Sequence, residues 1–182
     1  MNKKIILLAL ASSLSILMLA CSGAEQANTG TPTAASNKAS ENSAPAKNLP
    51  ADVLRAEAEK IELKSNDSAE AIVKLKILKG YHINGNPASK FQIATSLDVE
   101  QTEGITMGQP VYPSSVSKKF SFSDQPIDVY EDEVMIKLPL KAGSAAQKGE
   151  RTLKGKVRFQ ACDDEVCYPP RNLETSIPVT IK

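Results

Sequence analysis

Alternation of apolar and polar side chains with a period of two residues most constrains how this chain can fold. The clearest run places Ala71, Val73, Leu75 and Ile77 on one face and lysines on the other. Similar runs occupy residues 93–99, 134–140, 157–159 and 177–181. Successive side chains of a strand point to opposite faces, so each run predicts a half-buried β-strand.

Turn-forming residues separate these runs. Gly80, the NGNP segment at residues 84–87, Gly104, Gly108 and Gly143 lie between them, with no helical period in the intervals. Residues 56–63 fit either a strand or a helical turn. The pattern predicts an all-β fold, an antiparallel β-sandwich of about seven to nine strands. Pro139 and Pro178 interrupt strand runs, so we expect them on edge strands or at bulges.

The N-terminus predicts export and lipidation. Lys3 and Lys4 precede an apolar run from Ile5 to Ala20 that is short for a transmembrane helix and suits a signal peptide. The run ends in LMLAC at residues 17–21, which resembles the lipobox of bacterial lipoproteins. We therefore expect a signal peptide over residues 1–20 and a lipidated Cys21. An ordinary secretory signal or an uncleaved anchor is the alternative.

The stretch after Cys21 separates the anchor from the folded part. Residues 22–50 are rich in Ala, Ser, Thr, Asn and Pro and bury too little apolar area to fold. We expect residues 21–50 to form a disordered, membrane-attached tether and residues 51–182 to form one domain. The resemblance to lipoproteins also implies that Ser22, rather than Asp, after the cysteine favours the outer over the inner membrane in a cell with two membranes, on the side facing the periplasm.

Charge and histidine content exclude several functions. The formal net charge is +1 with no basic block, which gives no electrostatic footprint for nucleic acid. The single histidine, His82, excludes a multi-histidine metal centre. Because His82 lies far from the thiols in sequence, we interpret it as structural.

Two cysteines remain after Cys21 is assigned to lipid. Cys162 ends an apolar-alternating strand, four residues turn, and Cys167 begins the return. A hairpin of this kind places opposed Cβ atoms ~4.5–5.5 Å apart, within easy reach of a disulfide. In an exported protein the oxidised pair is the default.

The role of this pair is open between a structural staple and a redox centre. Closing so short a loop stabilises the fold by only ~2 kcal/mol, and an exposed turn suits a reactive disulfide. The acidic side chains of the turn disfavour a thiolate and so favour slow, partner-controlled exchange; they are Asp163, Asp164 and Glu165. A metal site using Cys162, Cys167 and His82 or a methionine is a third reading, with poor ligand spacing.

Several motifs resemble one family. FQACDDEVCYPP at residues 159–170 is similar to the active-site signature of the N-terminal periplasmic domain of the thiol:disulfide interchange protein DsbD. GYHIN at 80–84, PVYP at 110–113 and VYEDEV at 129–134 match in the same order. The resemblance extends over about residues 61–182. It implies an immunoglobulin-like sandwich that passes electrons by dithiol–disulfide exchange.

The resemblance also implies residue roles. Cys167 would exchange with the partner, and Cys162 would resolve the mixed disulfide. An aromatic cap would shield the pair, with Phe120 or Phe122 as the shielding ring. Tyr168 would either stack over the sulfur or pack at a strand start.

These patterns together lead us to expect a stand-alone periplasmic lipoprotein that exchanges electrons with a thioredoxin-like or CcdA-like redox protein. Its chemistry would be of the protein-disulfide reductase type, without a cofactor or a metal. The alternative is a non-catalytic binding lipoprotein whose disulfide is structural.

Lipidation of Cys21 is the first testable expectation. Mass spectrometry of the mature protein should find an N-terminal cysteine carrying acyl chains, because cleavage before Cys21 creates the modified terminus. A Cys21→Ser variant should lose the acyl mass and the membrane association. An unmodified N-terminus beyond Cys21 in the wild-type protein would overturn the expectation.

Overall fold

The structure is a computed structural model that describes residues 48–182. The predicted signal peptide, Cys21 and nearly all of the tether lie outside the described residues. Within residues 48–182, the regular structure consists of strands alone. In chain order these are β1 (Leu54–Ala58), β2 (Ile61–Leu63), β3 (Ser68–Ile77), β4 (His82–Asn84), β5 (Ser96–Val99), β6 (Ile105–Met107), β7 (Val116–Lys118), β8 (Ile127–Tyr130), β9 (Glu133–Ala142), β10 (Gly149–Phe159), β11 (Ala161–Cys162) and β12 (Arg171–Ile181).

The strands form three four-stranded sheets, ordered β1-β3-β9-β6, β2-β12-β10-β5 and β11-β4-β8-β7. All pairings are antiparallel except the parallel pair of β2 with β12. The fold is an all-β, immunoglobulin-like sandwich, which confirms the predicted fold class. A search of the described part of the chain finds no helix of the length and apolar character needed to cross a membrane.

The predicted alternation builds the main core. Side chains from β3, β9, β10 and β12 point into one buried cluster, in which Val73, Leu75, Ile136, Val157 and Ile177 have at most a trace of exposure. Their neighbours in sequence, such as Lys74 and Lys156, carry the polar face. Burying one face of each strand fixes its register, because a slip by one residue would expose the whole apolar set.

One strand prediction is corrected, and one ambiguous segment is resolved as strand. The run at residues 93–99 forms only β5, which begins at Ser96. Upstream of it, the Ile93 and Thr95 carbonyls accept hydrogen bonds from the side-chain amides of Asn84 and Asn86, at 3.0 and 2.8 Å, instead of joining a ladder. The ambiguous segment at residues 56–63 is β-structure and contributes to both β1 and β2.

Both strand prolines lie in interior strands rather than on edge strands. Pro139 belongs to β9 and Pro178 to β12, and each has a neighbour on both sides. Pro139 lies one residue beyond the last residue of β9 that pairs with β6, because β6 ends at Met107 opposite Leu140. Pro178 lies one residue before the pairing of β12 with β2, which begins at Val179. A residue without an N–H is tolerated at such a break in the ladder.

The third sheet forms the end of the sandwich that carries the cysteines. β4 lies between β11 and β8, and β8 pairs with β7 on its other side. A second, smaller apolar cluster lies here, made of Phe120, Ile127 and Val129 with Phe122 packed against it. This cluster is separate from the main core.

The main core extends further toward the N-terminus than the predicted boundary at Ala51. Leu49 is buried in the core cluster. The Arg171 guanidinium donates to the carbonyls of Leu49 and Pro50, at 3.3 and 3.4 Å. The last residues of the predicted tether are thus part of the packed domain.

Reduction of the cysteine pair should leave this sandwich folded. Neither cysteine belongs to the main core cluster. The loop that their bond would close contributes about 2 kcal/mol to the free energy of unfolding, against roughly 5–15 kcal/mol for a typical domain. Thermal melts followed by circular dichroism should show a transition in reductant that has a lower midpoint temperature but is still cooperative.

A Cys162→Ala/Cys167→Ala variant is the matched control, and its melt should be the same with and without reductant. Complete unfolding of the wild-type protein on reduction at room temperature would show that the bond is structural.

Candidate functional site

The cysteine turn begins where β11 ends. Cys162 and Cys167 face each other as an antiparallel bridge and form a disulfide, with their Cα atoms 4.0 Å apart. The Asp163 N–H donates to the Val166 carbonyl at 3.0 Å and closes the turn. The hairpin geometry inferred from the spacing therefore matches the structure.

Asp163 organises the turn through its side chain. Its Oδ1 accepts hydrogen bonds from the N–H groups of Glu165 and Val166, at 2.9 and 2.8 Å. Its Oδ2 accepts from the Tyr168 hydroxyl at 2.9 Å. Asp favours this local bonding pattern, which stands in for a backbone turn. Of the three acidic residues of the turn, Asp163 thus has a defined structural task.

Tyr168 packs in the core beside the turn. Its ring is buried in the main core cluster, 6.3 Å from the Tyr81 ring, and its N–H donates to the Ala161 carbonyl. Burial, together with the hydrogen bond to Asp163, raises the pKa of Tyr168 to about 12. Of its two predicted placements, the contacts correspond to packing at the strand start.

The two cysteines differ in burial. Cys162 is fully buried, at 0% exposure, whereas Cys167 is partly exposed. Asp164, Glu165 and Val166 on the turn and Pro169 beyond it are exposed, whereas Tyr168 is buried. A molecule that approaches this turn meets Cys167 before Cys162.

His82 lies beside the disulfide, which the sequence analysis missed. In the pairing of β11 with β4, His82 stands directly opposite Cys162. Its ring is 2% exposed and stacks on Phe120, with centroids 4.2 Å apart and planes 17° from parallel. The GYHIN and FQACDDEVCYPP motifs contain the residues of β4 and β11, but the pairing of these two strands depends on long-range packing that the sequence does not reveal.

Burial disfavours the charged form of His82. Burial lowers the pKa of His82 below its ordinary value, and the nearby Glu131 and Asp164 carboxylates only partly oppose this shift. The Nε2 atom is buried, and no hydrogen-bond partner for it is found among residues 48–182. The site therefore contains a buried imidazole nitrogen whose hydrogen-bonding capacity is unused within residues 48–182.

The aromatic segment, residues 118–124, lies against the cysteine turn. The Ser121 hydroxyl donates to the Asp164 carbonyl at 2.9 Å. Phe120 is buried and stacks on His82. Phe122 stacks on Phe120, with the two ring centroids 5.2 Å apart. Both predicted shielding rings are thus next to the site, with Phe120 the inner of the two.

A polar network supports the site from behind. The Gln160 side chain donates to the Tyr168 carbonyl at 3.0 Å and accepts from the Asn84 amide at 3.1 Å. The Asn84 N–H also donates to the Gln160 carbonyl, at 3.3 Å. These bonds tie the strand before Cys162, the strand after it and β4 together. The sequence does not predict the supporting role of Gln160 and Asn84, because a single polar residue in a strand does not reveal its hydrogen-bond partner.

A polar depression of about 320 Å³ opens beside His82. Its rim carries charges of both signs, from Lys79, Lys118, Glu131, Asp132 and Asp164. Lys118 and Glu131 form an ion pair at 2.5 Å. Over residues 48–182, no group of three or more His, Cys, Asp or Glu is arranged to hold a metal ion.

Comparison with known proteins gives one family match. The model of the family described as thiol:disulfide interchange protein DsbD, N-terminal, matches residues 51–178. No curated protein sequence matches the chain.

Solved structures give weaker likenesses. The N-terminal periplasmic domain of ScsB from Proteus mirabilis is 16% identical with a TM-score of 0.44, over 70% of this chain and 45% of that one. This chain therefore spans less than half of the ScsB structure that it matches. The ASH/PapD-like domain of human CEP192 is 10% identical with a TM-score of 0.37, over 76% of this chain and 92% of that one.

The family match covers most of the chain and includes β1 to β11 and the part of β12 up to Pro178, together with the disulfide and its turn. The chain belongs to the family of DsbD N-terminal thiol:disulfide interchange domains.

Proposed function

We propose that this protein is a lipid-anchored thiol–disulfide exchange domain of the periplasm, in which Cys167 exchanges with a thioredoxin-like partner and Cys162 resolves the mixed disulfide. Family membership and the Cys162–Cys167 disulfide support thiol–disulfide exchange in general. The residue roles, the partner and the anchor are the proposal.

The unequal burial of the two cysteines carries the assignment of roles. Thiol–disulfide exchange passes through a mixed disulfide, and a partner forms it only with a sulfur that it reaches. Cys167 lies on a partly exposed turn, whereas Cys162 has no exposure at all. Cys167 is therefore the better candidate for the intermolecular step, and Cys162 for the intramolecular one.

Shielding of the pair is assigned to the aromatic segment. Phe120 covers His82, the cross-strand neighbour of Cys162, and Ser121 bonds the turn itself. A ring in this place keeps small oxidants and reductants away from the buried sulfur. A partner would reach the pair only where the segment leaves the turn open, on the side of Cys167.

The anchor and compartment complete the proposal. Lipidation of Cys21 would hold the domain at a membrane facing the periplasm, with the outer membrane favoured over the inner. A tether of this length has an r.m.s. span of about 30 Å. The domain would then meet soluble thioredoxin-like proteins, or a CcdA-like membrane partner, within a limited distance of the membrane.

Trapping experiments test the roles of the two cysteines. A Cys162→Ser variant should form a covalent complex with a thioredoxin-like protein that lacks its resolving cysteine and carries its remaining cysteine as an activated mixed disulfide. A Cys167→Ser variant should form at least about tenfold less, because its remaining thiol is buried. Non-reducing gels give the yields.

Equal trapping by the two variants would remove the assignment of roles. Absence of trapping by either variant, with both folded, would count against exchange and favour a binding lipoprotein with a structural disulfide.

The pH dependence of trapping by the Cys162→Ser variant tests the acidic turn. The rate should rise from pH 7 to pH 9, because a thiol attacks as its thiolate and the neighbouring carboxylates of the turn disfavour that form at neutral pH. An Asp164→Asn variant, which removes an exposed carboxylate from the turn, should raise the rate at pH 7 by about twofold. A rate that is flat between pH 7 and pH 9 would contradict this account.

A further inference from the structure

Cys162 poses a chemical problem as a resolving residue. The attacking species in thiol–disulfide exchange is the thiolate, and apolar surroundings disfavour it. Cys162 is fully buried at the end of β11. A buried thiol needs a neighbouring group that accepts its proton before it attacks.

His82 stands where such an acceptor is needed. Directly opposed residues of an antiparallel pair point to the same face, with their Cβ atoms ~4.5–5.5 Å apart. Cys162 and His82 are opposed in this way, and both are buried. Phe120 stacks on the imidazole and holds the ring on this face of the sheet.

The imidazole is equipped to accept a proton. A buried polar atom without a hydrogen bond is costly, and such atoms are concentrated at functional sites. Nε2 of His82 is an atom of this kind within the part of the chain that the structure describes. Burial lowers the pKa of His82 and so favours the neutral ring, in which one of the two nitrogens carries a lone pair.

Charged groups around His82 offer the proton a way out. The ring faces Glu131 after β8, Lys118 on β7, and Asp163 and Asp164 on the cysteine turn. His82 itself lines the polar depression between Lys118 and Glu131. A proton taken up at the ring can therefore return to solvent by way of this depression.

We propose that His82 is the proton acceptor for the Cys162 thiol during resolution of the mixed disulfide, an inference that rests on the exchange function proposed above. The Cys162 thiol transfers its proton to Nε2, and the thiolate attacks Cys167 Sγ. The Cys162–Cys167 bond forms as the bond from Cys167 to the partner breaks. The partner's sulfur leaves as a thiolate with both electrons of the broken bond, and it is protonated by His82 or by solvent.

The same groups serve the reverse direction. When a partner thiolate attacks Cys167 Sγ of the oxidised domain, Cys162 leaves as a thiolate inside the protein. A protonated His82 beside it would return the proton, so the two directions use one pair of residues, as microscopic reversibility requires.

A small aromatic disulfide separates the two chemical steps. Reduced protein mixed with 5,5′-dithiobis(2-nitrobenzoate) should release one equivalent of coloured thiolate when Cys167 reacts, and a second when Cys162 resolves the adduct. In a His82→Phe variant, which keeps a ring to stack on Phe120, the first phase should stay within about twofold of wild type. The second phase should slow by at least about tenfold near pH 7.

The pH profile distinguishes proton transfer from a structural effect. With His82 present, the second phase should be nearly independent of pH around neutrality. In His82→Phe it should fall by about tenfold per unit of decreasing pH, because only the free thiolate attacks. By pH 9 the two proteins should differ by no more than about threefold. Ile83→Val, a neighbouring buried change on the opposite face of β4, is the matched control and should leave both phases unchanged.

A measurement on His82 itself does not depend on whether the His82→Phe variant folds. His82 is the only histidine of the chain, so its ring gives a single set of imidazole NMR signals. The pKa of His82 in the Cys167 adduct, trapped with a Cys162→Ala change, should coincide with the pH at which the second phase of the wild-type protein declines.

The possible results separate this inference from the proposed function. A second phase with the same rate and pH profile in wild type and His82→Phe would overturn the role of His82 while leaving exchange by Cys167 intact. A decline in the second-phase rate of the wild-type protein at a pH far from the measured pKa of His82 would also overturn the role of His82. Failure of the first phase would instead count against Cys167 as the exchanging residue and against the proposed function itself.

Discussion

The pairing of β11 with β4 is the interaction on which this site depends. It is only two residues long, with Ala161 opposite Ile83 and Cys162 opposite His82. It nevertheless brings Cys162, at the start of the disulfide turn, opposite the only histidine of the chain. The Asn84–Gln160 hydrogen bonds and the buried Tyr168 stabilise this pairing from the core side. The turn can therefore be exposed without being loosely held.

The site separates two demands that conflict in a redox domain. A partner needs an accessible sulfur, and a stable reduced form needs a protected one. In the proposed account, the partly exposed Cys167 meets the first demand and the fully buried Cys162 meets the second. Asp163 links them, because one carboxylate bonds both the turn and Tyr168. Because each cysteine would meet a different demand, the two cysteines need not be equally exposed.

Local pattern was sufficient for much of the fold and of the turn. Strict alternation predicted β3 and β9, because each strand buries one face and exposes the other. The spacing of Cys162 and Cys167 predicted their opposed geometry, because a four-residue turn leaves few alternatives. The segment before β5 was predicted as strand and is not, since side chains of Asn84 and Asn86 take its carbonyls. The distance of His82 from the thiols in sequence favours a structural role, but sequence distance does not determine which short strands pair.

The central claim is that Cys167 is the reactive sulfur and Cys162 the protected one. Alkylation of the reduced, folded protein with iodoacetamide, followed by peptide mass mapping over time, measures this difference directly. Cys167 should be modified at least about tenfold faster than Cys162, because one residue is partly exposed and the other is buried. The difference should disappear in denaturant, where both thiols are exposed. Equal rates in the folded protein, or faster modification of Cys162, would contradict the account.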